Sequence, residues 1–397
     1  MARSLGKLAA AGSVIAAGAY CVSSTSVLCE RQVQAGELFL WGGGTGDCFG
    51  GGTTAFKFSR PVDGLPEVVD AAIGCKYGVA VSAKGDVYAL HRRPDSDTMY
   101  AGEAERIETV GGTITSVAVS PQDEILMTTG RGYLQAVSRT DETFATWEKP
   151  RYLAGDLKRA HISSVTCGTG HCIALSKFGE AFSWGRNKHG QLGHGNMTDD
   201  TVDAPKRIGI PAKVKIVKAS CGDNHTALLD SEGHVWSFGS DQWGQAGHSE
   251  QPWTLDKHGN GTPRIIEKLQ KKLVHDIACG GEHTVVVVKD GTAYTFGLGR
   301  WGQLGHHNYV HFYAIHVMQN LDGTGKLKAE SAAAGTNHTT IMMGSKQIYA
   351  CGANEFGQLG NGSLQPSALL SRLKGEARTG AVKVINSRDT SAAIIRT

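Results

Sequence analysis

Trp184-Gly185-Arg186-Asn187-Lys188-His189-Gly190-Gln191-Leu192-Gly193 recurs three times downstream. The copies are residues 238–247 (FGSDQWGQAG), 296–305 (FGLGRWGQLG) and 351–360 (CGANEFGQLG), at spacings of 54, 58 and 55 residues. Self-similarity at intervals of about 40–60 residues marks a repeat architecture, in which each unit buries its apolar face against its neighbours.

A second element precedes each copy. It reads Cys167-Gly168-Thr169-Gly170-His171, Cys221-Gly222-Asp223-Asn224-His225-Thr226, Cys279-Gly280-Gly281-Glu282-His283-Thr284 and Ala334-Gly335-Thr336-Asn337-His338-Thr339. An apolar run follows, then a turn such as Lys177-Phe178-Gly179 or Ser231-Glu232-Gly233, then a short run into Trp-Gly or Phe-Gly. Apolar runs split by a glycine turn predict β-hairpins, so each unit is mostly strand.

Worn copies occupy the N-terminal half, at Ile73-Gly74-Cys75-Lys76-Tyr77 and Val119-Ser120-Pro121-Gln122-Asp123. A seventh begins at Ile385-Asn386-Ser387-Arg388-Asp389-Thr390 and stops with the chain, before any Trp-Gly. The missing piece stands at the other terminus, where Gly36-Glu37-Leu38-Phe39-Leu40-Trp41-Gly42 repeats the five-residue Gly-to-Trp spacing of Gly179 to Trp184. Seven strand-rich units with a last one completed by the N-terminal strand predict an all-β, seven-bladed propeller, closed so that no sheet edge is left open. The expected division is a leader at 1–35 and the propeller at 36–397.

These paired motifs resemble the regulator-of-chromosome-condensation repeat family, whose members are seven-bladed propellers. The resemblance spans residues 36–397 and is densest over 167–362; no Trp-Asp dipeptide of the WD type occurs. The family's founding activity is guanine-nucleotide exchange on a small GTPase, with acidic and histidine residues in the Gly-x-x-His loops of one face. Carried over, that implies Asp223 and His225, Glu282 and His283, Asn337 and His338, and Asp389, whereas Lys76, Tyr77 and Asp123 depart from the pattern. A light-sensing member carries tryptophans directly after the first Gly; Thr169, Asp223, Gly281 and Thr336 stand there instead, which disfavours photoreception.

A formal charge of +3 on 397 residues argues against a DNA-coating role, and the one lysine-rich run, 267–272, is read as a solvated loop. Cys167, Cys221 and Cys279 recur at one repeat position, as small buried fillers do. No C-x-x-C pair exists and the nine cysteines are odd in number, so a disulfide framework has no support and reducing surroundings fit best. His171, His225, His283 and His338 are expected to be structural, as are Trp41 and Trp184. His306, His307, His311 and His316 match no recognised ligand set, so no metal is expected. Gly42-Gly43-Gly44-Thr45-Gly46 lacks the Gly-Lys-Ser/Thr ending of a phosphate loop, and no cofactor is expected. Trp243 and Trp301 are expected to pack between blades.

The first 35 residues are of another kind. Arg3 and Lys7 precede a 15-residue Ala/Gly-rich apolar run, and no acid occurs before Glu30. A mitochondrial presequence, cleaved or kept as an inner-membrane tether, is the preferred reading; a secretory signal is the alternative. With no catalytic constellation, the expected function is a non-enzymatic interaction platform in mitochondria, serving assembly of the mitochondrial ribosome or a respiratory complex. The alternative is an exchange factor for an organelle small or dynamin-like GTPase. The partner-binding face is expected to carry Thr169, Asp223, Glu282, Asn337 and Asp389. A protein partner is expected there and no DNA; RNA is left open, though no motif indicates it.

Overall fold

The apolar runs form strands, and the strands assemble as seven four-stranded antiparallel sheets. In this computed structural model the described residues are 35–396 apart from 44–55, 63, 75–76, 91–103, 141–146, 158–159, 250–258, 319–326, 376 and 378. The leader therefore lies outside the described residues, as do Cys75 and Lys76. Blades 1 to 6 begin with the strands Val68–Ile73, Ile114–Val119, Ile162–Cys167, Ile216–Cys221, Val274–Cys279 and Ala329–Ala334. The ends of these strands, with Asn386 of blade 7, line one axial cavity of about 130 Å³.

Blade 4 shows how the pattern works. Its second strand, His225–Asp230, is buried at every position, because both of its faces meet neighbouring blades. Its fourth strand, Asn260–Ile265, alternates between buried and open positions at the rim. Ala227 and Leu229 join the cluster shared with blade 5, while Leu228 joins the one shared with blade 3. Successive side chains of a strand point to opposite faces, so one continuous apolar run serves two inter-blade cores.

Blade 7 closes the ring. Ala381–Asn386 and Thr390–Ile395 come from the C-terminus, Glu37–Gly42 and Phe56–Pro61 from the N-terminus. Glu37 to Gly42 pair with Ile395 to Thr390 in an unbroken antiparallel register. The sequence identified the strand at 37–41; that the N-terminus supplies two strands is new. Across the seam, Lys383 of blade 7 pairs with the Asp70 carboxylate of blade 1, which also accepts the Val117 N–H of blade 2 at 3.1 Å.

The cysteine reading needs one correction. Cys167 is bonded to Cys172 and is not a free filler. The two stand directly opposite each other in the first strand pair of blade 3, with Cα atoms 4.1 Å apart. Blades 4 and 5 have Cys221 facing Thr226 and Cys279 facing Thr284 at the same register. Cys172 thus fills a threonine slot, and that single exchange turns a Cys–Thr pair into a disulfide. Cys221, Cys279 and Cys351 are free and buried.

Candidate functional site

The motif glycines come first, because they set the loop geometry. A Cβ on Gly280 would fall 2.1 Å from His283 Cε1 and 2.5 Å from the Gly335 carbonyl oxygen; Gly222 and Gly335 are equally crowded by their own histidines. Gly239, at φ +101°, lets the chain leave the third strand beside the Asn224 carbonyl, 2.4 Å from where a Cβ would sit. Only glycine fits either place. Gly280→Ala is accordingly expected to cost about 3 kcal/mol, read as a lowered urea midpoint at unchanged slope; a midpoint equal to that of the parent would contradict it.

Each motif histidine then latches onto the next blade. His171 Nε2–H donates to Thr226 Oγ1 at 2.7 Å, His225 to Thr284 at 2.9 Å, His283 to Thr339 at 2.9 Å and His338 to Ser391 at 2.8 Å. Each hydroxyl donates its one proton to a carbonyl, of Gln191, Gln245, Gln303 and Gln358 respectively. The hydroxyl oxygen must therefore accept from Nε2–H, which fixes the tautomer and leaves Nδ1 unprotonated. The four imidazoles are fully buried, and burial pushes their pKa down to about 4 for His171 and about 3 for His225, His283 and His338. The histidines are structural, as the recurrence implied.

A second histidine series escaped the sequence reading. His194, His248 and His306 pair with Ser183, Ser237 and Thr295 at 2.8 Å, always one residue beyond the repeated Gly. His306 thus belongs to a repeat position, and it also packs edge to face on His316, with ring centroids 5.9 Å apart. Among the described residues no group of three or more His, Cys, Asp or Glu side chains is placed to hold a metal ion. No helix among them is long and apolar enough to cross a membrane.

The loops held in this way form two concentric rings. In the inner ring, Asp223 N–H donates to Gly281 O at 3.0 Å, Gly281 N–H to Thr336 O at 3.2 Å and Thr336 N–H to Arg388 O at 3.1 Å. Thr169 Oγ1 joins by donating to Asp223 O at 3.4 Å. Thr169, Asp223, Thr336 and Arg388 line the mouth of the axial cavity. The outer ring is Gly170, Asn224, Glu282, Asn337 and Asp389. Their carbonyls accept N–H groups of Arg186, Ser240, Leu298, Ala353 and Gly43 at 2.7–3.1 Å.

The five residues expected on one face therefore divide. Thr169 and Asp223 belong to the inner ring; Glu282, Asn337 and Asp389 belong to the outer ring and do not line the cavity. Asp223 and Glu282 still act on each other. Burial raises the Asp223 carboxyl pKa against the pull of the Thr169 hydrogen bond and the Arg388 charge. Burial raises that of Glu282, and the Asp223 charge adds to it, against a hydrogen bond from Trp243 and the Arg300 charge. Two half-buried carboxyls thus stand between Arg388 and Arg300. Arg388 occupies the slot aligned with Thr169 and Asp223, and the sequence reading does not include it, because the resemblance points to no basic residue in these loops. Trp243 packs between blades as expected, its ring 5.1 Å from that of His311.

Comparison with known proteins agrees with this geometry. The model of the RCC1-like domain matches residues 91–396. The E3 ubiquitin-protein ligase HERC2 of Homo sapiens is 28% identical over 86% of this chain, a match that spans 7% of HERC2. The ultraviolet-B receptor UVR8 of Arabidopsis thaliana is 34% identical over 54% of this chain and 46% of its own length. The chain thus matches less than half the length of these relatives. Among solved structures, human WBSCR16 superposes with a TM-score of 0.75 at 17% identity, covering 92% of this chain and 100% of that one. Prp20p of Saccharomyces cerevisiae, whose binding to Gsp1p and histones has been described, gives 0.74 at 19% identity, covering 92% of each. At such identities these structures share the fold.

Proposed function

The chain belongs to the RCC1-like domain family, and from that premise we propose that it is a non-enzymatic platform that holds a protein partner on its Gly-x-x-His loop face. The observation that carries this is the charged mouth of the axial cavity. Asp223 and Arg388 are held there by the inner backbone ring, which crosses blade boundaries, and the interacting charges of Glu282 and Arg300 extend the surface outward from it. Such a surface is preorganised, so little ordering entropy is lost on binding. Partly desolvated carboxyls gain most from a partner that brings complementary charge.

Asp223→Ala combined with Glu282→Ala is expected to weaken capture of the partner at least tenfold, about 1.4 kcal/mol or more. The fold should be unaffected, since loop changes of this kind cost about 0.5 kcal/mol or less. Affinity purification with mass spectrometry, run beside a thermal scan, reads both. Unchanged capture by the double variant would remove this face from consideration. A stoichiometric assembly subunit supports the platform; a GTPase captured only when nucleotide-free supports exchange instead.

The proposal extends to location. Arg3, Lys7 and the acid-free apolar leader support import into mitochondria, where the platform would serve assembly of the ribosome or a respiratory complex. Fusing residues 1–35 to a fluorescent reporter is the direct check, and secretory staining would overturn it.

A further inference from the structure

The opposite face of the ring is built from the hairpin turns between second and third strands. There the carbonyls of the turn glycines Gly132 and Gly179 accept from the first strands of the next blades, Ile162 N–H at 2.8 Å and Ile216 N–H at 3.0 Å. Over blades 2 and 3 this face carries aromatic rings that no core requires. Phe178 is 63% exposed, Tyr133 55% and Tyr152 51%. Single exposed apolar residues are ordinary on a protein surface; these are contiguous. Tyr133 and Tyr152 stand edge to face at 5.5 Å, and Phe178 packs against His161 at 5.7 Å. Gly132, next to Tyr133, rests on the His161 backbone, and Gly179, next to Phe178, rests on Lys215.

Charge follows the same arc. Arg131, Lys177, Lys213 and Lys215 are exposed along it. Lys177 Nζ donates to the Gly130 carbonyl at 3.4 Å, which holds it at the blade boundary. None of the four makes an ion pair among the described residues. Of the neighbouring acids, Glu180 is taken by Arg207 at 3.3 Å, and Glu232, next to the Ser231 N–H that donates to the Lys215 carbonyl at 2.9 Å, stands 3.6 Å from His234 Nδ1.

We propose that this arc of blades 2 and 3 binds single-stranded RNA, with unpaired bases stacking on the Tyr133–Tyr152 and Phe178–His161 rings and phosphates meeting Arg131, Lys177, Lys213 and Lys215. Exposed rings interleaved with unpaired cations form a stacking platform of the kind that takes splayed bases irrespective of sequence. A duplex hides its base faces and offers such rings nothing. An acidic peptide would use the cations and leave the rings idle. The site is independent of the partner face at the cavity mouth.

Fluorescence anisotropy of a labelled 12-residue poly(U) RNA tests this on the full chain, beside duplex RNA of the same length and a poly-glutamate peptide. Single-stranded RNA is expected to bind tightest. The slope of log affinity against log salt should be about −3 if each of the four cations neutralises one phosphate, at about 0.7 per phosphate. Tyr133→Ala with Phe178→Ala should weaken binding roughly a hundredfold, about tenfold for each ring, at an unchanged thermal midpoint. Lys177→Gln with Lys215→Gln should instead flatten the slope by about 1.4. Equal binding of the duplex or of poly-glutamate, or indifference to loss of the rings, would overturn the assignment.

Discussion

Deleting residues 36–42 is expected to abolish the folded ring, whereas deleting 1–34 leaves its thermal midpoint in place. Glu37–Gly42 is the third strand of the last blade, hydrogen-bonded to Thr390–Ile395 on one side and Phe56–Pro61 on the other. Its side chains divide between two cores. Leu38 and Leu40 pack with Val68, Ala71 and Ala80 of blade 1, while Phe39 and Trp41 pack with Ala333, Met342 and Ile348 of blade 6. Trp41 is fully buried, and its indole N–H donates to the Gln358 carbonyl at 3.0 Å. Burial of an apolar side chain is worth about 1.5–3 kcal/mol, so four of them together approach the whole 5–15 kcal/mol margin of a typical domain. The deletion also strips the partner from Thr390–Ile395 and opens the edge that ring closure removes. Trp41→Ala is the graded version, with an expected loss of about 3–5 kcal/mol. Thermal scans of the two truncations decide the matter: if both melt alike, the closing strand has no such role.

Blades 3 to 6 were legible because their motifs encode contacts that only particular residues can make. Gly280 leaves room for an imidazole, that imidazole needs a hydroxyl on the next blade, and the hydroxyl needs the Gln303 or Gln358 type of carbonyl. Each requirement recurs once per blade and survives as a visible word. Blade 1 meets the same need in another way, so its signal was faint. Tyr77 takes the histidine slot and donates its hydroxyl to the Asp123 carbonyl of blade 2, while Arg139 lies over its ring at 5.0 Å. Phe56–Pro61 was invisible because an outer strand shares only one flank with its sheet and carries no motif residue.

The candidate site was half legible for a related reason. Its loops were located by Gly and His, which are structural, but the inner and outer rings differ only in which way successive residues turn. Asp223 and Glu282 occupy different positions of their loops, and nothing in Gly222-Asp223-Asn224-His225 beside Gly281-Glu282-His283 shows that they meet. The disulfide was hidden similarly, since Cys172 is recognisable as a partner only once it is seen in the register that Thr226 and Thr284 hold opposite their own cysteines.

Acidification from pH 7.5 to 5.5 is expected to remove about 5 kcal/mol of stability, through His171, His225, His283 and His338. In the unfolded chain a histidine titrates near 6.5; in the ring these four titrate at about 3–4. Below 6.5 the unfolded chain takes up protons that the fold refuses, so stability is full above that value and falls as pH drops toward the folded values. One pH unit below 6.5, each histidine costs about 1.4 kcal/mol, and four cost roughly 5–6. The cause is geometric: Nε2–H is already committed to a hydroxyl, and Nδ1 faces no acceptor among the described residues. His248 and His306, pushed down to about 4 by burial, steepen the fall. The raised carboxyls of Asp223, Asp241 and Glu282 act in the opposite sense, since the fold favours their protonation, but they are outnumbered. Urea midpoints across this pH range give the slope. His283→Gln isolates one member of the set, because its amide can still donate to Thr339 yet cannot titrate. It should reduce the slope at pH 5.5 by close to one proton, about 1.4 kcal/mol per pH unit. A slope that His283→Gln leaves unaltered would mean that the acid sensitivity lies elsewhere.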